Sequence, residues 1–355
     1  MFLKERIWIR NILVIITLLF LLVGSFNFLI DPLWTFDHSN RYNNIQDEIN
    51  ERQQKTNYIY FNRLDRYEGI LFGSSRSTFI NQNNFHNMNI YNYALDSMYP
   101  FEYEQYFNFA KKVKGKDFKY LIIGADFYNI MKPRKREFKD PSYYIDTTTG
   151  FLYRYRMLLA WDVLKYSMKN IRNSICNINS LHYSRVNIKF IPKVTEKVRL
   201  KRYRKNLKRH VESFTGRNYQ KNDEYMNILK RLKSENSNTK IIIFTSPITA
   251  DLLDSIIVNA KKMKEYENWL KDLISIFGEI HHFMDLNSIT INLENYFDDD
   301  HFYPYIGKLL ANKISKKNNH DIPKDFGVIL NKSNVDQYLN TFKQKIKDYN
   351  IKEMN

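Results

Sequence analysis

A single cysteine, Cys176, serves all 355 residues. That excludes an intramolecular disulfide and any metal site built from several thiolates. Glycine and proline are also scarce, at 10 and 8 residues, while 43% of the chain is hydrophobic and 26% charged. Such a composition belongs to an ordered protein with a sizeable core, and the length suits one large globular domain or one domain carrying an insertion. There is no glycine-rich phosphate loop, no His/Asp/Glu spacing of the metal-binding kind and no internal repeat. No metal and no cofactor is therefore expected. Asn, Lys, Ile and Tyr are abundant together, which looks like translation of an AT-rich genome and gives those residues little individual weight.

Charge is missing from one long stretch. Asn11 to Ile30 holds 20 uncharged residues, including Ile12-Leu13-Val14-Ile15-Ile16 and Leu18-Leu19-Phe20-Leu21-Leu22-Val23. At 1.5 Å per residue such a run matches a hydrocarbon core of about 30 Å. Lys4, Arg6 and Arg10 precede it and Asp31 and Asp37 follow it. The positive-inside rule then leaves residues 1–10 in the cytoplasm and carries the remaining chain across a bacterial-type cell membrane. A cleaved signal peptide would have a shorter apolar region ending at small residues, but Gly24-Ser25 sits inside the run. The expectation is a single uncleaved anchor over 11–30, followed by a juxtamembrane connector over 31–57.

Beyond Asn57, four short apolar runs end in turn or site residues: Gly69-Ile70-Leu71-Phe72, Asn89-Ile90-Tyr91-Asn92-Tyr93-Ala94, Tyr120-Leu121-Ile122-Ile123 and Lys240-Ile241-Ile242-Ile243-Phe244. Each is β-branched or aromatic and too short for a typical helix, as buried parallel strands are. A weaker fifth candidate is His282-Phe283-Met284-Asp285-Leu286. Helical patterns fall near 100–114, 219–235, 250–276 and 304–317. Alternation of this kind predicts an α/β fold over 58–317, a parallel sheet sandwiched by helices, with 318–355 as a C-terminal extension.

Residues 132–217 interrupt the alternation as a basic, largely helical insertion. They hold 22 Lys or Arg against 6 Asp or Glu, which is +16 of the chain's net +17. The densest part runs from Lys197 to Arg209 and includes Lys201-Arg202-Tyr203-Arg204-Lys205. A solvated helical face accounts for such a run. So does attraction to an anionic polymer or to lipid head groups, with Arg202, Arg204 and Lys205 as the contacts. Nucleic acid is not expected as a partner, because the predicted topology places the insertion outside the cytoplasm.

Two places carry groups suited to chemistry. The first strand runs into Gly73-Ser74-Ser75-Arg76-Ser77, and ligands bind at the carboxyl ends of strands in open α/β sheets. A serine in a tight turn there exposes its hydroxyl beside backbone N–H groups able to stabilise an oxyanion. A loop and helix cap would use the same residues. The second place is Asp298-Asp299-Asp300-His301, just before the last core helix, which carries Gly307. A serine nucleophile needs a base and the base needs an orienting carboxylate, and His301 and Asp298 supply both. His281-His282 read as structural. His38, His86, His182, His210 and His320 stand in polar, unpatterned contexts.

These blocks resemble the SGNH (GDSL-like) hydrolases, whose nucleophile follows strand one and whose Asp-x-x-His lies near the C-terminus. The resemblance spans roughly residues 25–340 and implies the flavodoxin-like sheet of that family. It makes Ser75 the nucleophile, His301 the base and Asp298 its orienter, with Ser74 in place of the family's Asp. Asp31-Pro32, Asn92-Tyr93-Ala94, Gly124-Ala125-Asp126-Phe127 and Asp325-Phe326-Gly327-Val328 are similar to the membrane-anchored branch that includes teichoic acid D-alanylation and alginate O-acetylation proteins. That branch implies a serine esterase or O-acyltransferase acting on a cell-envelope glycan or polymer, with a membrane-bound O-acyltransferase as partner. It also implies oxyanion or substrate contacts at Gly73, Arg76, Asn92, Ser97 and Asp126. The chain departs from the family at two of these. Asp96-Ser97 stands where a glycine N–H is expected, and Asp126 where an Asn donor is. An ionised Asp126 cannot donate a hydrogen bond, and losing one oxyanion donor costs about 10²–10³ in rate. Arg76 is the cation available to compensate. The other reading is a non-catalytic polymer-binding or scaffold subunit of an acylation complex.

Overall fold

The computed structural model describes residues 2–133, 138–317 and 321–349. Residues 134–137 of the basic insertion, His320 and the last six residues of the tail lie outside them. The chain forms two compact units, one from Met1–Leu64 with Asp140–Phe190, the other from Asp65–Lys139 with Ile191–Asn355.

The first unit begins with the helix Phe2–Ile30. It is the one helix among the described residues that is long and apolar enough to cross a membrane. Its side chains are exposed from Lys4 to Leu22 with little interruption, and burial begins at Val23. Asp31 then turns the chain with a left-handed backbone (φ 44°). Its carboxylate accepts from the N–H groups of Thr35 and Phe36, each at 2.9 Å, and from Arg185 Nη2 at 2.5 Å. Short strands Ile45–Gln46, His182–Ser184 and Lys189–Phe190 pair antiparallel. The helix Glu51–Phe61 is capped by the Asn50 side chain, and buried Glu51 meets Lys189 Nζ at 2.9 Å. Residues 31–57 are thus not a connector. They fold with 140–190 through ion pairs between residues more than a hundred positions apart, a relationship no local pattern announces. The basic insertion divides accordingly, 140–190 joining this unit and 191–217 the other.

In the second unit a six-stranded sheet is built from β1 (Gly69–Phe72), β2 (Ile90–Asn92), β3 (Tyr120–Ala125), β4 (Lys240–Thr245), β5 (Glu279–His282) and β6 (Val328–Asn331). Their order is β2-β1-β3-β4-β5-β6. The first five are parallel, and β6 closes the edge antiparallel to β5. Side chains alternate between faces along each strand. Leu71, Ile122 and Phe244 pack on one side with Phe79, Ile306 and Leu310. Phe72 stacks on Tyr103 of the helix Pro100–Lys114 on the other, with ring centroids 5.5 Å apart. The order reverses about β1, so the crevice at the carboxyl ends of β1 and β3 is a topological switch point, where ligands bind in such sheets.

Two sequence expectations change. The fifth strand covers Glu279–His282, so it ends at His282, where the candidate run 282–286 would begin it. His282 is buried among Thr245, Tyr266 and Tyr338, and burial lowers its pKa to about 3. The tail is not an appendage either. It supplies β6 and the helix Val335–Asp348, whose Phe342 stacks on Tyr266.

Candidate active site

The turn after β1 is set by close packing. The side chain of Ser77 is buried against Gly73 and Gly124, and a Cβ at either glycine would collide with Ser77 Oγ. Gly73 is therefore a packing residue. Asn92 braces the same turn: its amide donates to Ser77 O at 2.9 Å and Ile80 O at 2.8 Å, and its Oδ1 accepts from Ala94 N–H. Both amide hydrogens are committed, so Asn92 positions the serine turn and is not an oxyanion donor. From the other side the helix Pro304–Ile314 approaches so closely that a Cβ on Gly307 would lie 2.6 Å from Phe79 O.

Ser75 opens the helical turn Ser75–Thr78, half-buried, and its Oγ lies 2.8 Å from His301 Nε2. His301 Nδ1 is 3.0 Å from both Asp298 oxygens. Asp298 Oδ1 also accepts from the N–H groups of Asp300 and His301, fixing the loop that presents the ring. Phe79 packs edge-on to the imidazole with centroids 5.8 Å apart. Ser75, His301 and Asp298 thus stand in the geometry of a nucleophile, its base and the base's orienter.

The other two aspartates of the run have separate tasks. Asp299 Oδ2 accepts from His210 Nδ1 at 2.6 Å. Asp300 Oδ2 lies 2.8 Å from Arg76 Nη2, and Arg76 Nη1 lies 2.9 Å from Asp126 Oδ1. All three of these last residues are buried. The expected compensating role of Arg76 is thereby corrected: its guanidinium is spent on two carboxylates. Asp126, on β3's exit, is likewise an ion-pair partner and not a donor.

These charges set the protonation of the site. Burial opposes a charge on His301, but Asp300 and Asp298 outweigh it and hold the pKa well above the ordinary histidine value. Burial would also raise Asp300, yet His301 and Arg76 bring it well below the usual carboxylate range. Asp299 is lifted by burial, with the His210 contact working against the lift. Two groups, His210 with Asp299 and Asp300, and Asp298 with Asp300 and His301, bring ligand-type atoms within 4.8 Å. Arg76 and His301 already lie against the carboxylates of Asp300 and Asp298.

His210 and Asn206 come from the basic helix Glu196–Ser213. With Tyr203, which bonds Asp251 Oδ2, they occupy one face at helical spacing. Asn206 Nδ2 reaches Asp298 Oδ2 at 3.4 Å. Arg204 and Lys205 are exposed on the outer side, and Arg202 lies over the Phe297 ring at 4.3 Å. Ser97 takes a left-handed backbone (φ 48°), the conformation glycine favours, at the place where the resemblance expects glycine. It lines a cavity of about 210 Å³ with Tyr99, Tyr128, Lys132 and Arg209.

Asp299, Asp300, Asn206 and His210 were not singled out by sequence. The Asp298–Asp300 run is visible, but only contacts from three distant segments distinguish its members. Compared with known proteins, the chain matches no family model, no curated protein and no solved structure, so its site stands on this geometry alone.

Proposed function

We propose that the chain is a membrane-anchored, extracytoplasmic serine esterase or O-acyltransferase of the SGNH type, acting on an envelope glycan or polymer. The observation that carries the reading is the Ser75–His301–Asp298 arrangement at the switch point of the sheet. The strand order β2-β1-β3-β4-β5 also supports it, being the flavodoxin-like order. His301 Nε2 takes the Ser75 proton as Oγ attacks an acyl carbonyl. The Ser77 N–H is taken by Ser74 O, which leaves the N–H groups of Ser75 and Arg76, at the opening of the turn, to receive the oxyanion. Collapse breaks the ester C–O bond, and His301 returns the proton to the departing alcohol. Water or a sugar hydroxyl then attacks acyl-Ser75 in the same way, releasing a carboxylic acid or a new ester. An anchor in the same chain favours transfer, since donor and acceptor are membrane-associated, and a membrane-bound O-acyltransferase is the partner that would deliver the acyl group. Lys132 and Arg209 in the 210 Å³ cavity suit an anionic acceptor.

The test is labelling of detergent-solubilised full-length chain with a fluorophosphonate probe, beside Ser75→Ala and His301→Ala. Labelling of wild type alone supports the reading. Absence of labelling in folded wild type would favour the second reading, a polymer-binding or scaffold subunit. The observations on that side are that the Asn92 amide is committed to backbone carbonyls and that Asp126, an acceptor paired with Arg76, offers no donor.

A further inference from the structure

The first unit exposes apolar side chains in a cluster. Phe151, Leu152, Tyr155, Leu159 and Trp161 all face outward within a short stretch, Phe151 at 82% and Trp161 at 68% exposure. Concentrated patches of this kind mark interaction surfaces, whereas single exposed apolar residues do not. The stretch is fastened to the helix Phe2–Ile30. Asn27 Nδ2 donates to Leu158 O at 2.8 Å, and Leu159 Cδ2 would lie 3.6 Å from a Cβ on Gly24.

That attachment fixes a depth. With a rise of 1.5 Å per residue, Asn27 and Gly24 stand about 4.5 and 9 Å before Ile30, the end of the uncharged run. We infer that residues 151–161 are a second membrane contact, dipping into the lipid leaflet in which the anchor helix ends. This rests on the proposed reading of that helix as a membrane span. The side chains suit the boundary: Phe151 and Leu152 enter the acyl region, Tyr155 and Trp161 hold the interface where amphipathic rings collect, and exposed Arg156 meets lipid phosphate. The lipid-facing surface of the anchor thereby continues onto the folded unit, which ties that unit to the bilayer at two points and limits its rotation about the helix.

Spin labels test this in the full-length Cys176→Ser chain, reconstituted in nanodiscs of phosphatidylethanolamine and phosphatidylglycerol. Phe151→Cys and Tyr155→Cys are compared with Leu18→Cys as the anchor position and Ser333→Cys as the water position. At 151 and 155, broadening by oxygen, which partitions into lipid, should exceed broadening by a water-soluble nickel complex, as at 18 and opposite to 333. Lipid-like behaviour at 18 with water-like behaviour at 151 and 155 overturns the inference and leaves the anchor standing. Water-like behaviour at all four positions overturns both. Low access to both reagents at 151 and 155 would assign the patch to a protein partner and overturn the lipid contact.

Discussion

His210 Nδ1 lies 2.6 Å from Asp299 Oδ2, joining the basic helix to the loop from which Asp298 and His301 project. Asp299 is completely buried and its Oδ1 has no hydrogen-bond partner among the described residues, so it depends on this one contact and on its backbone. Substituting His210→Ala should cost about 1–3 kcal/mol, the desolvation cost of an unsatisfied buried acceptor, and slow Ser75 labelling. His210→Gln, which keeps a donor, should recover part of both. Urea midpoints and labelling rates measured on the same preparations decide it; an unchanged labelling rate in a destabilised His210→Ala would confine the pair to stability.

Arg76 stands between Asp126 and Asp300, and removing it leaves buried Asp126 without its cation and Asp300 with His301 alone. Arg76→Met is expected to destabilise by about 3–5 kcal/mol, as breaking buried pairs does. Lysine, a single point charge without the planar fork, should restore only part. Adding Asp126→Asn to Arg76→Met should recover some of the loss, which a double-mutant cycle in urea would read directly.

Serine attack requires the neutral form of His301, whose pKa Asp300 and Asp298 raise against the effect of burial. The rate of fluorophosphonate labelling should therefore climb with pH and turn over above the ordinary histidine value of about 6.5. Asp300→Asn removes a charge that favours the protonated ring, so the inflection should move to lower pH. Stability runs the other way: the charged ring stabilises the fold fully below about 6.5, and that contribution is lost as pH rises through the higher folded value. An inflection that does not move in Asp300→Asn would remove Asp300 from this role.

Asp254 is buried, its Oδ1 has no hydrogen-bond partner among the described residues, and burial followed by the charge of Asp251 lifts its pKa from 3.8 to about 6. The folded protein then binds this proton more tightly than the unfolded chain does, so stability falls as pH rises from 3.8 to about 6. Asp254→Asn is expected to stabilise by roughly 1 kcal/mol at pH 7.5 and by nothing at pH 3.5. Thermal or urea unfolding at the two pH values gives the comparison.

Arg204 and Lys205 are exposed on the outer side of the basic helix, where Arg202 lies over Phe297. Reversing all three charges to Glu should abolish most binding to an anionic envelope polymer, and wild-type binding should weaken as salt rises. Binding that is unaffected by both would reduce this outer face to a solvated helix surface.

Much of the core was legible because parallel strands buried on both faces read as unbroken apolar runs. The runs at 69–72, 120–123 and 240–244 coincide with β1, β3 and β4 to within two residues. Strand β6 was not read, since its apolar run Val328-Ile329-Leu330 is only three residues long and two of the three are exposed at the sheet's edge. The candidate site was legible where its residues are close in sequence or follow a strand: Ser75 after β1, and Asp298 with His301 in one loop. His210 was passed over because a histidine among lysines and arginines on a charged helix carries no local signal, and its meaning comes from Asp299, 89 residues away.

The amino-acid sequence by itself determined the apolar N-terminal helix, the alternation of strands and helices, and the residue types at the strand-one turn and the Asp298–His301 loop. Each of these rests on local periodicity or on neighbours within a few positions. Only the tertiary structure decided the division into two units, the burial of Arg76 between Asp126 and Asp300, the bracing amide of Asn92 and the link from His210 to Asp299. Those depend on which distant charges and hydrogen-bonding groups share a buried space. There a polar group without a partner is costly, and its partner is chosen by the fold instead of by its place in the chain.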